Sequence, residues 1–575
     1  MSGTLTTEDA APASAMSHRQ VLESLSGLLL GMFVSILAGT VVSTSMPRII
    51  SELGGDQTAY TWVVTSTLLA TTVSTPIWGK LADLFNRKLL IQLALVLFVL
   101  GSALAGFSQD TNMLIGFRVV QGLGAGGLTA LSQIIMADII SPRERGRYMG
   151  LFGGIMAVGT VGGPLIGGLL TDSIGWRWNF FVGVPVAIVA IILLQFTLRL
   201  PKRAIRKVRI DYLGAIFLAG GISLILIWVS MAGTNFDWWS PETIWMVGGS
   251  IALLVATVVT ELVVKEPIIP LAMFKNRTFT LAVIASISVG VAMFGTSVFL
   301  GQYMQVARGA TPTQSGLLTL PMILGLLLSS TIVGNLISRF GKWKSFMVVG
   351  SILLTIGLYL MSTIKYDTNY VLVSLYMLIL GAGVGMVMQN LVLIVQNTVR
   401  PEQLGAASSN VAFFRSLGGT IGVSVMGSIL GTKVADGMAA HGAELQGILA
   451  KLGAKGAEIG QLLKSGTLPE VNTLPASVRS IVESVYGQGV ADVFLVAVPL
   501  AIITIIAIAF LPNNTLGTKT AVELMKEKSP ESAAEAAEEN LVEVAEAMIA
   551  APVTGSVAAV RSGQTAGDRP AQEDR

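Results

Sequence analysis

The chain contains no cysteine and only two histidines, His18 and His441. Disulfides and thiolate metal sites are therefore excluded, and the two histidines are too far apart in the sequence to predict a histidine cluster. Charged residues make up only 12% of the chain, whereas soluble domains carry about 25%. Because 52% of the residues are hydrophobic, a water-soluble core could not bury them all.

Long apolar runs take the place of the missing charge. A bilayer core of about 30 Å is crossed by about 20 apolar residues in a helix, and runs of this length recur along the 575 residues. The pattern predicts an all-α polytopic membrane protein with fourteen spans. These are 21–46, 58–82, 89–107, 112–138, 147–170, 179–198, 211–231, 243–263, 278–303, 314–337, 345–363, 370–397, 407–430 and 489–511. The first is too long for a signal peptide and is predicted to be retained.

The positions of Lys and Arg predict the orientation. Cations concentrate in the 2–3, 4–5, 6–7 and 10–11 loops, for example Arg143, Arg145 and Arg147 in the 4–5 loop. Loops rich in Lys and Arg stay in the cytoplasm. With an even number of spans, both termini are predicted to be cytoplasmic, in a multi-pass protein of the cell (inner or plasma) membrane.

A repeat divides the chain into segments. At a shift of 259 residues, Gly122, Gly124 and Gly126 coincide with Gly381, Gly383 and Gly385. Parallel repeats of this kind occur in many secondary transporters, with the substrate site between the halves. The predicted segments are a cytoplasmic N-terminal segment (1–20), a six-helix half (21–198), an inserted helix pair with flanking loops (199–277), a second six-helix half (278–511) with an external loop (431–488), and a cytoplasmic Ala/Glu-rich tail (512–575).

Motifs within residues 20–511 carry a family resemblance. They are Gly79-Lys-Leu-Ala-Asp83-Leu-Phe-Asn-Arg87-Lys88, Arg118-Val-Val-Gln121-Gly122, and Gly150, Gly159, Gly163-Pro164 and Gly167-Gly168 in span 5. With these motifs the chain resembles the major facilitator superfamily and, more narrowly, its fourteen-span drug:proton antiporters of the EmrB/QacA type. The resemblance implies the major facilitator fold, with fourteen transmembrane helices arranged 6+2+6 in two pseudo-symmetric halves. Leu84 and Asn86 depart from the first motif, which usually has Arg and Gly there.

The resemblance implies a conformational latch formed by Asp83, Arg87 and Asp138, together with Gly79 and Lys88 of the same motif. Span 2 carries Asp83 at its cytoplasmic end, and Asp138 ends span 4 on the same side. A carboxylate–guanidinium–carboxylate set can hold helix ends together in one state and release them in another. The same residues also fit an ordinary cluster of loop charges that sets the topology.

The resemblance associates the span 5 motif with export. Its glycines allow close helix contact, and Pro164 frees a backbone carbonyl at a bend. The functional interpretation is a pliable helix at the interface between the halves, and plain tight packing is compatible with it.

Two arginines are predicted to lie inside the bundle. Arg118 is about two turns from the outer end of span 4, where a charge usually faces the bundle interior or a water-filled cavity. The resemblance implies that it serves proton coupling or cavity electrostatics, and a static buried anchor is the other interpretation. Gln121 lies near it on the helix, and Arg415 is a second interior cation in span 13.

Glu23 is the candidate proton acceptor. It begins a stripe of small and polar residues along span 1 that is predicted to face inward. Many members of the fourteen-span family carry an aspartate in this span where the chain has Ala38. Because proton coupling needs a group that changes its protonation state, we expect Glu23 to take that role, with Arg118 tuning its field. An interfacial position for Glu23 is equally compatible with the length of the span.

The predicted function is secondary active export of lipophilic or amphipathic compounds (multidrug efflux) by proton antiport, with alternating access around a cavity lined by spans 1, 4, 9 and 12. Alternatives are a dedicated exporter of one native metabolite or lipid, and a non-transporting membrane sensor or assembly protein. The sequence contains no ATP-binding loop, and an enzyme, a cofactor and a metal are not expected. The expected partners are a small lipophilic substrate, protons and membrane lipids. Binding of nucleic acid is not expected, and the protein is expected to be a monomer.

Overall fold

The computed structural model describes residues 18–54, 57–140, 142–198, 200, 211–232, 236–264, 267–310, 312–400, 403–464, 471 and 474–517. Residues 1–17 of the predicted N-terminal segment, residues 201–210 of the 6–7 loop and residues 518–575 of the predicted tail lie outside the described residues. So do the side chains of Arg143, Arg145 and Arg147.

The described part of the chain is almost entirely helical. Its helices are α1 (His18–Glu52), α2 (Gln57–Leu84), α3 (Arg87–Gly106), α4 (Thr111–Ile139), α5 (Pro142–Ser173), α6 (Trp178–Phe181), α7 (Gly183–Thr197), α8 (Tyr212–Met231), α9 (Pro241–Val263), α10 (Arg277–Gln302), α11 (Pro312–Leu318), α12 (Leu320–Phe340), α13 (Lys344–Met361), α14 (Tyr370–Thr398), α15 (Leu404–Ala440), α16 (Gly442–Lys451), α17 (Ala454–Lys464) and α18 (Ala476–Ala509). A 3₁₀ turn (Leu271–Lys275) precedes α10, and a π turn (Tyr303–Ala307) follows it.

Twelve of the described helices are long and apolar enough to cross a membrane. The predicted spans 58–82 and 147–170 form α2 and α5, but neither belongs to this set. Helix α2 mixes its apolar residues with threonine and serine and carries Lys80 and Asp83 near its end, which lowers its mean hydropathy. The count of fourteen spans therefore stays a prediction.

Local sequence signals set several helix ends. Asp110, Asp211 and Asn276 precede α4, α8 and α10, and each side chain accepts a hydrogen bond from a backbone N–H in the first turn. Such caps satisfy donors that the helix itself leaves unpaired. Helix α12 ends at Gly341, whose φ of 67° lies in the left-handed region that glycine adopts without strain.

The helices pack in two groups, each with its own apolar core. One core includes Leu95, Leu131 and Leu194 of α3, α4 and α7. The other includes Leu354, Val387 and Phe494 of α13, α14 and α18. Many large apolar residues remain exposed on the outer faces of the bundle, as expected for helices that face lipid.

The repeated glycines make equivalent contacts in the two groups. A Cβ at Gly124 of α4 would overlap the backbone of α3, and one at Gly383 of α14 would overlap the backbone of α13. Likewise Gly163 of α5 is pressed against α1, and Gly422 of α15 against α10. Small residues thus let the backbones approach closely at the same register in both groups.

Two seams join the groups. Helix α2 packs against α15, and α5 packs against α12. Under the repeat, α2 corresponds to α12 and α5 to α15, so the two seams are equivalent by the internal symmetry.

The inserted helices α8 and α9 pack against each other, and α8 also contacts both α2 and α15. An apolar cluster at this junction includes Val73 of α2, Leu218 and Ile222 of α8, and Phe413 of α15. The inserted pair therefore lies across the α2–α15 seam rather than apart from it.

Helices α15 and α18 extend beyond the predicted spans 13 and 14. Helix α15 continues to Ala440 instead of ending near 430, and α18 begins at Ala476 instead of near 489. Much of the predicted loop 431–488 is thus helical and includes α16 and α17. A small apolar cluster containing Leu445, Ile459 and Val482 holds these helices together, which hydropathy at bilayer length does not predict.

Candidate functional site: a polar latch and two buried arginines

Asp83 of α2 binds the N-terminus of α15. Its Oδ1 accepts a hydrogen bond from the backbone N–H of Gly405, and its Oδ2 accepts one from Ala406, both at 2.9 Å. The first N–H groups of a helix have no partner within the helix and carry the positive end of its dipole. The Asp83 carboxylate, in the first helix group, therefore holds the first turn of α15, in the second group.

Arg87 connects Asp83 to Asp138. Its guanidinium lies 3.5 Å from Asp83 Oδ1 and forms a closer ion pair with Asp138, while Nε donates to the carbonyl of Ala82 at 2.9 Å. The side chains of Arg87 and Asp138 are 3% and 7% exposed. Burial makes this pairing costly to break, because each partner would be left as an uncompensated charge. We call Asp83, Arg87 and Asp138 the latch cluster, and their end of the bundle the latch end.

Glycines permit the close approach of α2 and α15 at the latch cluster. A Cβ on Gly405 would overlap Asp83 Oδ1 and the carbonyl of Gly79, and a Cβ on Gly79 would overlap the side chain of Ser409. Lys88 does not join the cluster. Its Nζ donates to the carbonyl of Gln195 on α7 at 2.6 Å, so it binds within the first helix group.

Gln396 adds a contact that the sequence did not predict. From α14, its Nε2 donates to Ser408 Oγ at 2.6 Å and to the carbonyl of Gln133 on α4 at 3.4 Å. The second of these hydrogen bonds joins the two helix groups at the latch end. A polar side chain near the end of an otherwise apolar span was the available signal, but periodicity alone does not identify its partner.

The glycines of α5 face α1. Gly159 packs on Ile36, Gly163 on Thr40 and Gly167 on the backbone of Val41. Thr40 Oγ1 donates to the carbonyl of Gly159 at 3.0 Å. This glycine face therefore lies within the first helix group, although α5 as a whole also borders α12.

The remaining members of the predicted span 5 motif are Gly150, Pro164 and Gly168. All three lie within α5. The side-chain surroundings of Gly150 and Pro164 lie outside the described part of the structure.

Arg118 is 4% exposed inside the bundle. Its Nη1 donates to Gln121 Oε1 at 2.7 Å, and its Nε donates to the carbonyl of Val63 on α2 at 3.4 Å. These described partners are neutral. Gln121 Nε2 is buried without a partner in the described part of the chain, so this site keeps a free hydrogen-bond donor beside a buried cation.

Arg415 of α15 is 6% exposed. Its Nη1 is buried and has no hydrogen-bond partner among the described residues. Its backbone carbonyl is in close contact with Gly290 of α10. The two predicted interior cations are thus buried in different helix groups.

Glu23 lies far from Arg118. Its side chain is exposed, whereas Gly27 and Gly31 of the same predicted stripe are covered by Leu194 and Leu128. Because α1 and α4 run in opposite directions and meet at Gly31 and Leu128, the helical rise places Glu23 and Arg118 about 27 Å apart along the axes. Tuning of Glu23 by Arg118 would have to act over this distance, and it stays a prediction.

The family model for the major facilitator superfamily matches residues 28–423. The chain belongs to the major facilitator superfamily. As a member, it is a multi-pass membrane transporter of small molecules and not an enzyme.

Two transporters are similar to this superfamily member in sequence. A multidrug transporter protein of Bacillus subtilis (strain 168) is 32% identical over 464 residues, which cover 81% of this chain and 81% of that protein. An uncharacterized MFS-type transporter of Mycobacterium tuberculosis (strain ATCC 25618 / H37Rv) is 35% identical over 486 residues, covering 83% of this chain and 67% of that protein.

A solved structure supports the same major facilitator fold. The proton:xylose symporter XylE aligns with a TM-score of 0.56 at 13% identity, over 89% of this chain and 100% of that chain. At this identity the likeness concerns the fold alone.

Proposed function

We propose that the protein is a secondary active exporter of lipophilic or amphipathic compounds that exchanges them for protons by alternating access. The observation that carries this proposal is the hydrogen bonding of Asp83 to the first turn of α15, because it joins the two helix groups through contacts that water can replace. The relative named as a multidrug transporter supports the substrate class. Rocking of the groups about the α2–α15 and α5–α12 seams would open and close the latch end.

We further propose the arrangement in the membrane. Helices α2 and α5 contain 28 and 32 residues, and about 20 suffice to span a bilayer. Counting both gives fourteen spans, with α8 and α9 as the inserted pair. The Lys and Arg bias of the loops supports a cytoplasmic location for the latch end and both termini. With this orientation, the described conformation is closed on the cytoplasmic side.

The two buried arginines support a substrate preference. The described hydrogen-bond partners of Arg118 are neutral, and Arg415 has an Nη1 without a hydrogen-bond partner among the described residues. Buried cations repel multivalent cations and accept anionic or polar groups. We therefore propose neutral, zwitterionic or anionic lipophilic substrates.

Transport into proteoliposomes tests the function. Purified protein is reconstituted, and uptake of a neutral, an anionic and a dicationic compound (chlorhexidine) is followed with and without an imposed pH gradient. We expect gradient-dependent uptake that is faster for the neutral and anionic compounds. An uptake rate that is the same with and without the pH gradient would contradict proton exchange. Faster uptake of chlorhexidine than of the neutral and anionic compounds would contradict the proposed substrate class.

The Glu23→Gln variant tests the proton acceptor that the sequence predicts. If Glu23 carries the proton, the variant binds substrate but loses gradient-driven transport. Transport at the wild-type rate would show that the acceptor is another residue.

A further inference from the structure

Two buried carboxylates lie in the inserted helix pair, outside the latch cluster. Glu261 is in the last turn of α9 and is 5% exposed, and Asp211 precedes α8 and is 6% exposed. Lys80 of α2, which is adjacent to Gly79 in the α2–α15 seam, is 8% exposed. Electrostatic interactions connect Glu261 to both Asp211 and Lys80.

In the described part of the chain, each carboxylate has one oxygen that accepts hydrogen bonds and one oxygen that accepts none. Glu261 Oε1 accepts hydrogen bonds from the backbone N–H groups of Ile268 and Ile269 at 3.1 Å. Asp211 Oδ1 caps α8 by accepting a hydrogen bond from Gly214 at 2.8 Å. Glu261 Oε2 and Asp211 Oδ2 are buried without hydrogen-bond partners in the described part of the chain. Because buried polar oxygens are rarely left without a partner, this site points to a ligand that it can bind.

The surroundings of the carboxylates are apolar. Ile268 and Ile269 belong to the cluster in which α8 packs on α2 and α15, and α15 contributes Phe413 and Phe414 to it. The 3₁₀ turn contributes Phe274. Among the described residues, the charged groups that interact with Glu261 are Asp211, directly before α8, and Lys80 of α2. Two carboxylates in such a medium are costly to keep charged without full compensation.

We propose that Glu261 is a proton-binding site through which the inserted helix pair controls the α2–α15 seam. A proton from water at the latch end binds Oε2, converts the carboxylate to a carboxylic acid and removes the negative charge that interacts with Lys80. When it is released, the charge returns. Since Lys80 is the neighbour of Gly79, which contacts Ser409 of α15, a changed pull on Lys80 acts directly on the packing of the seam.

This inference rests on the proposed proton exchange and names a group that carries it. It differs from the sequence prediction, which assigns the proton to Glu23. The two assignments make opposite predictions for the Glu23→Gln and Glu261→Gln variants in the same transport experiment.

The test uses pairs of spin labels. Since the chain has no cysteine, labels at Phe85→Cys, directly after α2, and at Tyr212→Cys, the first residue of α8, are unique, and both positions are exposed. In the full-length protein we expect the label distance to change with pH, and this change to disappear in Glu261→Gln. The matched control is Glu242→Gln, at an exposed residue at the other end of α9. In this variant the label distance should change with pH as it does in the doubly labelled protein without the substitution.

Transport gives the second readout. Glu261→Gln is expected to slow gradient-driven uptake roughly tenfold, a typical size for coupling between two sites, while Glu242→Gln leaves it unchanged. Glu261→Asp, which keeps a titratable group, should retain the pH-dependent distance and so controls for misfolding. A pH-dependent distance that persists unchanged in Glu261→Gln overturns the inference, as does undiminished gradient-driven uptake. If the wild type shows no gradient-driven uptake, the proposed function itself fails, which is a different outcome.

Discussion

Asp83 is engaged on both of its carboxylate oxygens by the backbone of α15. A carboxylate at a helix N-terminus gains from the helix dipole as well as from its hydrogen bonds. Neither contact depends on the side chains of Gly405 and Ala406. What matters at these positions is space, because α2 and α15 approach so closely that a methyl group on Gly405 would overlap Asp83 and Gly79.

Gly405→Ala is therefore expected to hold the latch end open. The added Cβ overlaps Asp83 Oδ1, so the carboxylate cannot reach the first turn of α15. Removing hydrogen bonds to a charged group costs about 1.5–3 kcal/mol, and every 1.4 kcal/mol is a tenfold change in an equilibrium. Uptake in proteoliposomes should fall at least tenfold, at unchanged yield of folded protein.

The matched control is Gly431→Ala on the same helix, where a Cβ would meet nothing within 4 Å. It should transport at the wild-type rate. Equal rates for Gly405→Ala and Gly431→Ala would show that closure of this end does not limit transport.

At the scale of elements, the glycines of α5 serve contact with α1. The sequence left both a pliable helix between the halves and plain tight packing open. In the structure, Gly159, Gly163 and Gly167 face the helix of their own group. Hydrogen bonds from Thr40 and Ser45 to carbonyls of α5 reinforce this contact. The two helices are therefore expected to move as one unit.

Gly163→Ala tests this interpretation. Its Cβ would overlap Thr40 of α1, and overpacking of this kind costs about 1–3 kcal/mol. Thermal unfolding in detergent should occur several degrees lower than in the wild type. The neighbouring Gly162→Ala is the control, because its Cβ would meet only Ile166 of its own helix at 4.0 Å. Equal melting temperatures for the two variants would contradict the close α1–α5 contact.

At the scale of the whole molecule, two helix groups with matched internal contacts meet at two symmetric seams, and polar contacts close one end. Among the described residues, specific polar contacts between the groups occur at that end. They include Asp83 with α15 and Gln396 with Gln133. Each group instead has an extensive apolar core of its own. This distribution favours motion between the groups over motion within them.

A single thiol can report this motion. Ser408 accepts a hydrogen bond from Gln396 at the latch end and is 1% exposed. In the cysteine-free chain, Ser408→Cys is expected to react slowly with a water-soluble maleimide. Adding Asp83→Asn, which removes the charge and one acceptor, should raise the reaction rate roughly tenfold, since about 1.4 kcal/mol corresponds to that factor.

Adding Glu52→Gln in place of Asp83→Asn gives the control. Glu52 is the last residue of α1 and accepts a hydrogen bond from Trp176, away from the latch end. The Glu52→Gln substitution should therefore leave the labelling rate unchanged. Fast labelling of Ser408→Cys alone would contradict a closed latch end.

Apolar runs and glycine spacing predict the described helices that are long and apolar enough to cross a membrane, and the register in which their glycines repeat. Apolar length is a local property, so the positions of the spans follow from composition, and the glycines repeat in register because both helix groups need close backbone contact at the same level. Arg87 and Asp83 are four residues apart in the sequence, which the motif makes visible.

The neighbour that each polar residue contacts depends on how the helices pack in the folded protein. Asp83 and Gly405 are distant in the sequence, as are Gln133 and Gln396, and no periodicity predicts their contact. The same holds for the exposure of Glu23, the direction of the α5 glycines and the meeting of Asp211, Glu261 and Lys80. In a membrane helix a small or polar residue indicates that its face avoids lipid, but the packing of the other helices determines what that face contacts.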